Sequence, residues 1–232
     1  MSPDPIQTLI DRRRLLAGAG ALGVAALPII ACAKEPQPAA ASPRLIAGTT
    51  CPVTPEQTEG PFYFDPALVR QDIAEGKAGA PLRLRLQIVA AAACAPQQRA
   101  RVDLWQCDAA GVYSGYDQER SAGQRWLRGT QYADADGVAT FRTLYPGWYE
   151  GRAPHIHIKA WLPDGREVTS QLYFPDELSD AIYRDAAYGG RGGGRMRNGD
   201  DFIFRRAGGN VPVARLSRGA ESYDGALVIA LA

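Results

Sequence analysis

Histidine is almost missing from this chain. Its 232 residues hold only two, His155 and His157, which excludes a metal site made of three imidazoles. A surplus of charge is missing as well, since the formal net charge is +1. Residues 1–31 contribute Arg12, Arg13 and Arg14 against Asp4 and Asp11, so taking them from 26 basic and 25 acidic residues leaves 23 of each. That balance argues against a nucleic-acid partner, which needs a basic surplus or stripe; it leaves room for a local basic pocket that takes a small anion. There is no Walker motif, no strand–helix alternation and no internal repeat, which removes phosphate-loop and solenoid architectures. The apolar run AGAGALGVAALPIIA (17–31) is too short and too rich in glycine and alanine to span a bilayer.

What precedes that run points to export. Asp11-Arg12-Arg13-Arg14-Leu15-Leu16 resembles the bacterial twin-arginine signal. Ile29-Ile30-Ala31-Cys32 resembles a lipobox with Cys32 as the lipidated residue. The expectation is an exported bacterial protein of the periplasm or cell envelope, with a signal at 1–31 and membrane contact only through a lipid on Cys32. Residues 32–50, rich in Pro, Ala and Ser, read as a flexible tether, and 51–232 as one domain with length for a full core. Cys51, Cys94 and Cys107 leave three pairings open. The first two lie in proline-containing loop contexts and the third in the strand-like VDLWQCD, so the expected disulfide is Cys51–Cys94, with Cys107 a free core thiol.

From residue 51 the chain reads as short strands between turns. Residues 51–66, with four prolines and no helical period, read as an extended arm laid over something else. LRLRLQIVA (82–90) alternates as a half-buried strand, and ARVDLWQCD (100–108) is the next. Thr130–Ala133 and Val138–Leu144 form a hairpin about Asp136-Gly137, and 155–163 and 167–175 another about Asp164-Gly165. DFIFRR (201–206) and ALVIALA (226–232) read as closing strands, DELSDAIYR (176–184) as the only helix, and the glycine-rich 189–200 as a loop. The expected fold class is all-β, an antiparallel β-sandwich with long loops and one short helix.

HIHIKAWL (155–162) carries both histidines two residues apart on a strand, where side chains i and i+2 share a face. Two imidazoles on one face can bind one metal ion, and tyrosines, carboxylates or cysteines must complete its coordination. Tyr113 follows a strand and turn, Tyr149 follows the Pro146-Gly147-Trp148 turn, and Arg152 lies just upstream of the histidines. A phenol with a pKa of about 10 becomes a phenolate at neutral pH only beside a strongly acidic ion, and Fe(III) is such an ion.

Five segments in series then carry a resemblance: TPEQTEGPFY (54–63), VDLWQCDAAGVYSGY (102–116), DGVATFRTLYPGWY (136–149), RAPHIH (152–157) and SQLYF (170–174). In this order they resemble the intradiol ring-cleavage dioxygenases, the family of protocatechuate 3,4-dioxygenase and catechol 1,2-dioxygenase. The resemblance implies a non-haem Fe(III) held by Tyr113, Tyr149, His155 and His157, with a solvent hydroxide. It implies a catechol-type substrate that binds through both oxygens, displaces Tyr149, and is cleaved by O2 between its hydroxyl-bearing carbons to a cis,cis-muconate-type diacid. Arg152 is implied to stabilise negative charge on the ring, and Gln171 to stand beside the iron as a polar neighbour. The six-residue step from Tyr149 to His155 is shorter than in protocatechuate enzymes, and no helical segment like the dimerisation linker of catechol 1,2-dioxygenases precedes the domain. An alternative on the same residues is a non-catalytic exported β-sandwich that binds phenolics or iron.

Overall fold

The computed structural model describes residues 51–232 apart from Pro66, Gly192, Gly209 and Asn210. The expected signal, tether and Cys32 lie outside the described residues. Among those residues, no helix is long and apolar enough to cross a membrane.

Two sheets face each other across one core. The first contains β1 (Pro81–Ala90), β2 (Ala95–Pro96), β5 (Val138–Leu144), β8 (Arg215–Arg218) and β9 (Tyr223–Leu231). Its main path is β2-β1-β9-β8, with β5 also paired to β1. The second contains β3 (Arg101–Trp105), β4 (Arg128–Tyr132), β6 (His155–Trp161) and β7 (Glu167–Tyr173), in the order β4-β3-β6-β7. The alternation in β1 does what it predicts: Leu82, Leu84, Leu86 and Ile88 are buried, while Arg83 faces solvent. They meet Val102 and Leu104 of β3, Ile156 and Ile158 of β6, and Leu172 of β7 in the main core. Leu84 is fully buried here, so Leu84→Ala is expected to cost about 2–5 kcal/mol, read as a lower urea midpoint with an unchanged slope.

Three features depart from the sequence reading. Val138–Leu144, expected to form a hairpin with Thr130–Ala133, pairs instead with β1 in the first sheet while β4 pairs with β3 in the second, so the turn about Asp136-Gly137 joins the two sheets. β9 pairs with β1 in parallel over nine residues, Leu82–Ala90 against Tyr223–Leu231, whereas the other pairings between named strands are antiparallel. A parallel pair needs a long connection, and here the second sheet is built between the two strands. Residues 202–206, expected as a strand, form helix α2 (Phe202–Arg206), a second helix after α1 (Asp176–Ile182). Asp201 caps α2, its carboxylate accepting from the amides of Ile203 and Phe204. The run FIFRR is too short for periodicity to separate strand from helix.

The arm behaves as expected. Cys51 pairs with Cys94 at a Cα separation of 5.1 Å, and Cys107 is free and buried. Closing 43 residues in this way stabilises by about 4 kcal/mol in the loop-entropy description. Thr54 then exchanges two hydrogen bonds with Ala230 of β9, and Gln57 donates its amide to Thr169 of β7. The arm therefore crosses from one sheet to the other before it passes over the outer face of the second.

Candidate metal centre

The outer face of the second sheet carries the site. Strand parity puts His155 and His157 on that face, while Ile156 and Ile158 enter the core. His157 is paired in register with Trp105 on one side and Gln171 on the other, and His155 with Tyr173. His157 stacks on Trp105 at 4.8 Å and 11°. Gly60 of the arm lies above it at φ +70, where a Cβ would stand 3.5 Å from the imidazole.

Tyr113 and Tyr149 arrive on two loops that lock together. Asp108, three residues past the end of β3, folds the first loop, its carboxylate accepting from the amides of Ala110 and Val112. Gly111, at φ +86, and Gly147 have no room for a side chain, since added Cβ atoms would lie 2.3 Å from the carbonyls of Trp148 and Asp108. The glycine-rich segment closes the clasp. Arg191 donates to the carbonyl of Ala110 and lies 4.5 Å from the ring of Trp148, whose indole N–H returns a bond to the carbonyl of Arg191. Arg195 is buried against Asp176 and Asp180. Arg191 and Arg195 thus pin this segment, while Gly193, Gly194 and Arg197 are exposed.

Four donor side chains converge. His155 Nε2 lies 3.1 Å from His157 Nε2 and 3.2 Å from the hydroxyl of Tyr149. The Tyr113 ring stands 5.7 Å from that of Tyr149 and 6.3 Å from that of His157, and its buried hydroxyl has no hydrogen-bond partner. Phe62 of the arm covers Tyr113, stacked at 4.3 Å and 9°. Nitrogen ligands about 2.1 Å from one ion at right angles to each other stand about 3 Å apart, so the observed spacing suits one shared cation. Among the described residues no group of three His, Cys, Asp or Glu could hold a metal. The phenols of Tyr149 and Tyr113 supply oxygen donors beside the two imidazoles.

The protonation states agree with that use. Burial, reinforced by the charge of Arg152, holds His155 down at about 3, and burial holds His157 well below the ordinary imidazole range. The 2.7 Å contact from His155 Nδ1 to the carbonyl of Ala153 keeps the proton on Nδ1 and leaves the Nε2 lone pair facing the centre. Burial, then the neighbouring Tyr149, keeps Tyr113 well above its ordinary value, and burial also raises Tyr149. Both phenols are neutral until a cation arrives.

Arg152 borders the same point, Nη1 lying 3.4 Å from His155 Nε2. Its Nε donates to Asp201, and its Nη2 to Gln171 Oε1 (2.5 Å) and the Tyr173 hydroxyl (3.0 Å). Burial works against its charge, but Tyr173, Tyr149 and Asp201 outweigh it and raise its pKa. Gln171 is turned by the arm: its Nε2 donates to the carbonyl of Thr58, and its amide donates to Gln57. The structure so brings together all six residues named from sequence: Tyr113, Tyr149, Arg152, His155, His157 and Gln171. It adds Asp201, Tyr173 and Phe62. Parity along β7 places Tyr173 on the face of Gln171, and an aspartate ahead of an apolar run is a helix-cap signal. Nothing local pairs Phe62 with Tyr113.

A family profile described as "Dioxygenase" matches residues 58–189. An intradiol ring-cleavage dioxygenase from Tetranychus urticae is 32% identical over 78% of this chain and 94% of its own, with a TM-score of 0.72. The dioxygenase domain of a dioxygenase–carbohydrate-binding protein fusion from Streptomyces sp. SirexAA-E is 31% identical over 78% of this chain and 100% of its own, at a TM-score of 0.59. Catechol 1,2-dioxygenase from Acinetobacter sp. ADP1, at 23% identity, 77% and 62% coverage and a TM-score of 0.54, shares the fold. A search of curated proteins returns no significant match. Sandwich, profile and paired tyrosine and histidine agree: this chain belongs to the intradiol ring-cleavage dioxygenases.

Proposed function

We propose that the protein is a non-haem Fe(III) enzyme that cleaves a catechol-type ring between its two hydroxyl-bearing carbons, with O2, to a cis,cis-muconate-type diacid. The observation that carries this is the approach of the Tyr149 hydroxyl and His157 Nε2 to within 3.2 Å of His155 Nε2, beside the buried Tyr113 hydroxyl. Those four residues would hold the ion. When bound, it would supply a Lewis acid that keeps two phenols ionised and activates a chelated catecholate toward O2. Tyr149 is the less buried phenol of the pair, its hydroxyl 3.2 Å from His155 Nε2; it would be the ligand able to swing away, its phenolate taking a substrate proton and leaving as a neutral phenol. Arg152 holds a fixed charge beside the ring's developing negative charge. Phe62, Trp105 and the arm keep water from the covered side. Substrate and O2 are the only small-molecule partners this chemistry requires.

The test is a visible spectrum of the purified domain before and after anaerobic addition of catechol. A broad tyrosinate-to-iron band that shifts on addition is expected. A protein still colourless after ferric reconstitution would defeat the reading, and colour without turnover once O2 is admitted would favour a binding protein. We also propose export to the cell envelope. The Cys51–Cys94 disulfide is in keeping with an oxidising compartment.

A further inference from the structure

Asp201 is completely buried, and all its acceptor capacity is used. Oδ1 takes the amides of Ile203 (2.8 Å) and Phe204 (3.2 Å) at the start of α2. Oδ2 takes Arg152 Nε at 2.9 Å and the Ala153 amide at 2.9 Å. Ala153 is the residue whose carbonyl receives the His155 Nδ1 proton. Both peptide groups of Ala153 are therefore fixed, one by Asp201 and the other by His155. Around them Ala153, Tyr173 and Val211 form a small buried apolar cluster with Phe204 of α2 packed on it, and the Tyr173 and Phe204 rings meet edge to face at 5.0 Å.

We infer that Asp201 is a positioning residue acting on two parts of the centre at once. Through Arg152 it aims the one guanidinium beside the reacting ring. Through Ala153 it sets the tautomer and orientation of His155, leaving Nε2 bare toward the metal. Metal-bound imidazoles commonly send their other N–H to a carboxylate or a backbone carbonyl; here a backbone carbonyl is used, and a carboxylate holds that residue in turn. In so dry a setting the carboxylate loses little to solvent screening. What either role does for catalysis rests on the iron reading above, whereas the geometry around Ala153 and His155 does not.

The test uses Asp201→Ser, because a serine still caps α2 but cannot reach Arg152 or Ala153. In the metal-free, 15N-labelled protein the His155 ring nitrogens report the tautomer. Wild type is expected to hold the proton on Nδ1 alone, and Asp201→Ser to show both tautomers in exchange. In the iron-loaded protein, loss to a chelator should accelerate about 10–100-fold, with turnover falling through kcat more than KM. Asp201→Asn, which keeps the shape and lacks the charge, is the second variant if the serine protein does not fold, and it is read the same way. A wild-type tautomer together with unchanged iron loss in a folded variant, whatever its melting temperature, overturns the assignment. If wild type takes up no iron, the functional reading fails, and the metal-free tautomer measurement still decides whether Asp201 positions His155.

Discussion

Replacing His155 by alanine is expected to empty the centre. His155 Nε2 is the atom nearest the other donors, 3.1 Å from His157 and 3.2 Å from Tyr149, and two imidazoles are all the chain possesses. Iron affinity should fall by more than the roughly 10–100-fold that loss of an outer hydrogen-bond partner costs. Iron per protein after gel filtration reads this, and full retention would count against the strand geometry. Without metal the substitution has a second signature. Folded His155 titrates at about 3, against about 6.5 for an unfolded imidazole. Between those values the unfolded chain binds more protons, so metal-free wild type loses stability as pH falls through that window and regains it as pH rises. His155→Ala removes that contribution, and urea midpoints at pH 7 and pH 4 should lie closer together than in wild type.

Arg152→Met is the second large effect, and it has two separable parts. Losing the fixed charge beside the ring should lower kcat by about 100- to 1,000-fold while iron stays bound. Leaving Asp201, at 0% exposure, without its cation should also cost about 3–5 kcal/mol of stability. Arg152→Met/Asp201→Asn should recover part of the stability and none of the turnover. Arg152→Lys keeps a charge but not the fork that reaches Asp201, Gln171 and Tyr173 together, and should stay well below wild type. A variant with wild-type kcat would remove Arg152 from the chemistry.

Period-two patterning made β1 legible, because Leu82, Leu84 and Leu86 alternate with more exposed residues, and the Asp164-Gly165 turn marked the β6–β7 hairpin, whose strands are buried on both faces. The same parity put both histidines on one side of β6. Loop chemistry made the turns before Tyr113 and Tyr149 legible too. The rest depends on contacts between distant segments. Nothing near ALVIALA shows that it will lie parallel to β1, and nothing near Asp201 shows that its partner is 49 residues earlier. FIFRR illustrates the local limit: five residues fit either period, and a cap and a packing partner settle the matter.

The placement of β9 bears on the order in which this molecule can mature. It lies between β1 and β8, so the first sheet lacks an interior member until residues 223–231 have been synthesised. The centre likewise draws on the arm at 57–62, the loops at 113 and 149, strands β6 and β7, and Asp201. Such long sequence separations make folding slow and late. On the iron reading proposed above, a nascent chain therefore has no finished centre, and loading would follow completion of the whole domain. If the chain is exported already folded, as its twin-arginine-like start suggests, loading can take place in the cytoplasm, where the cell controls which ion is supplied.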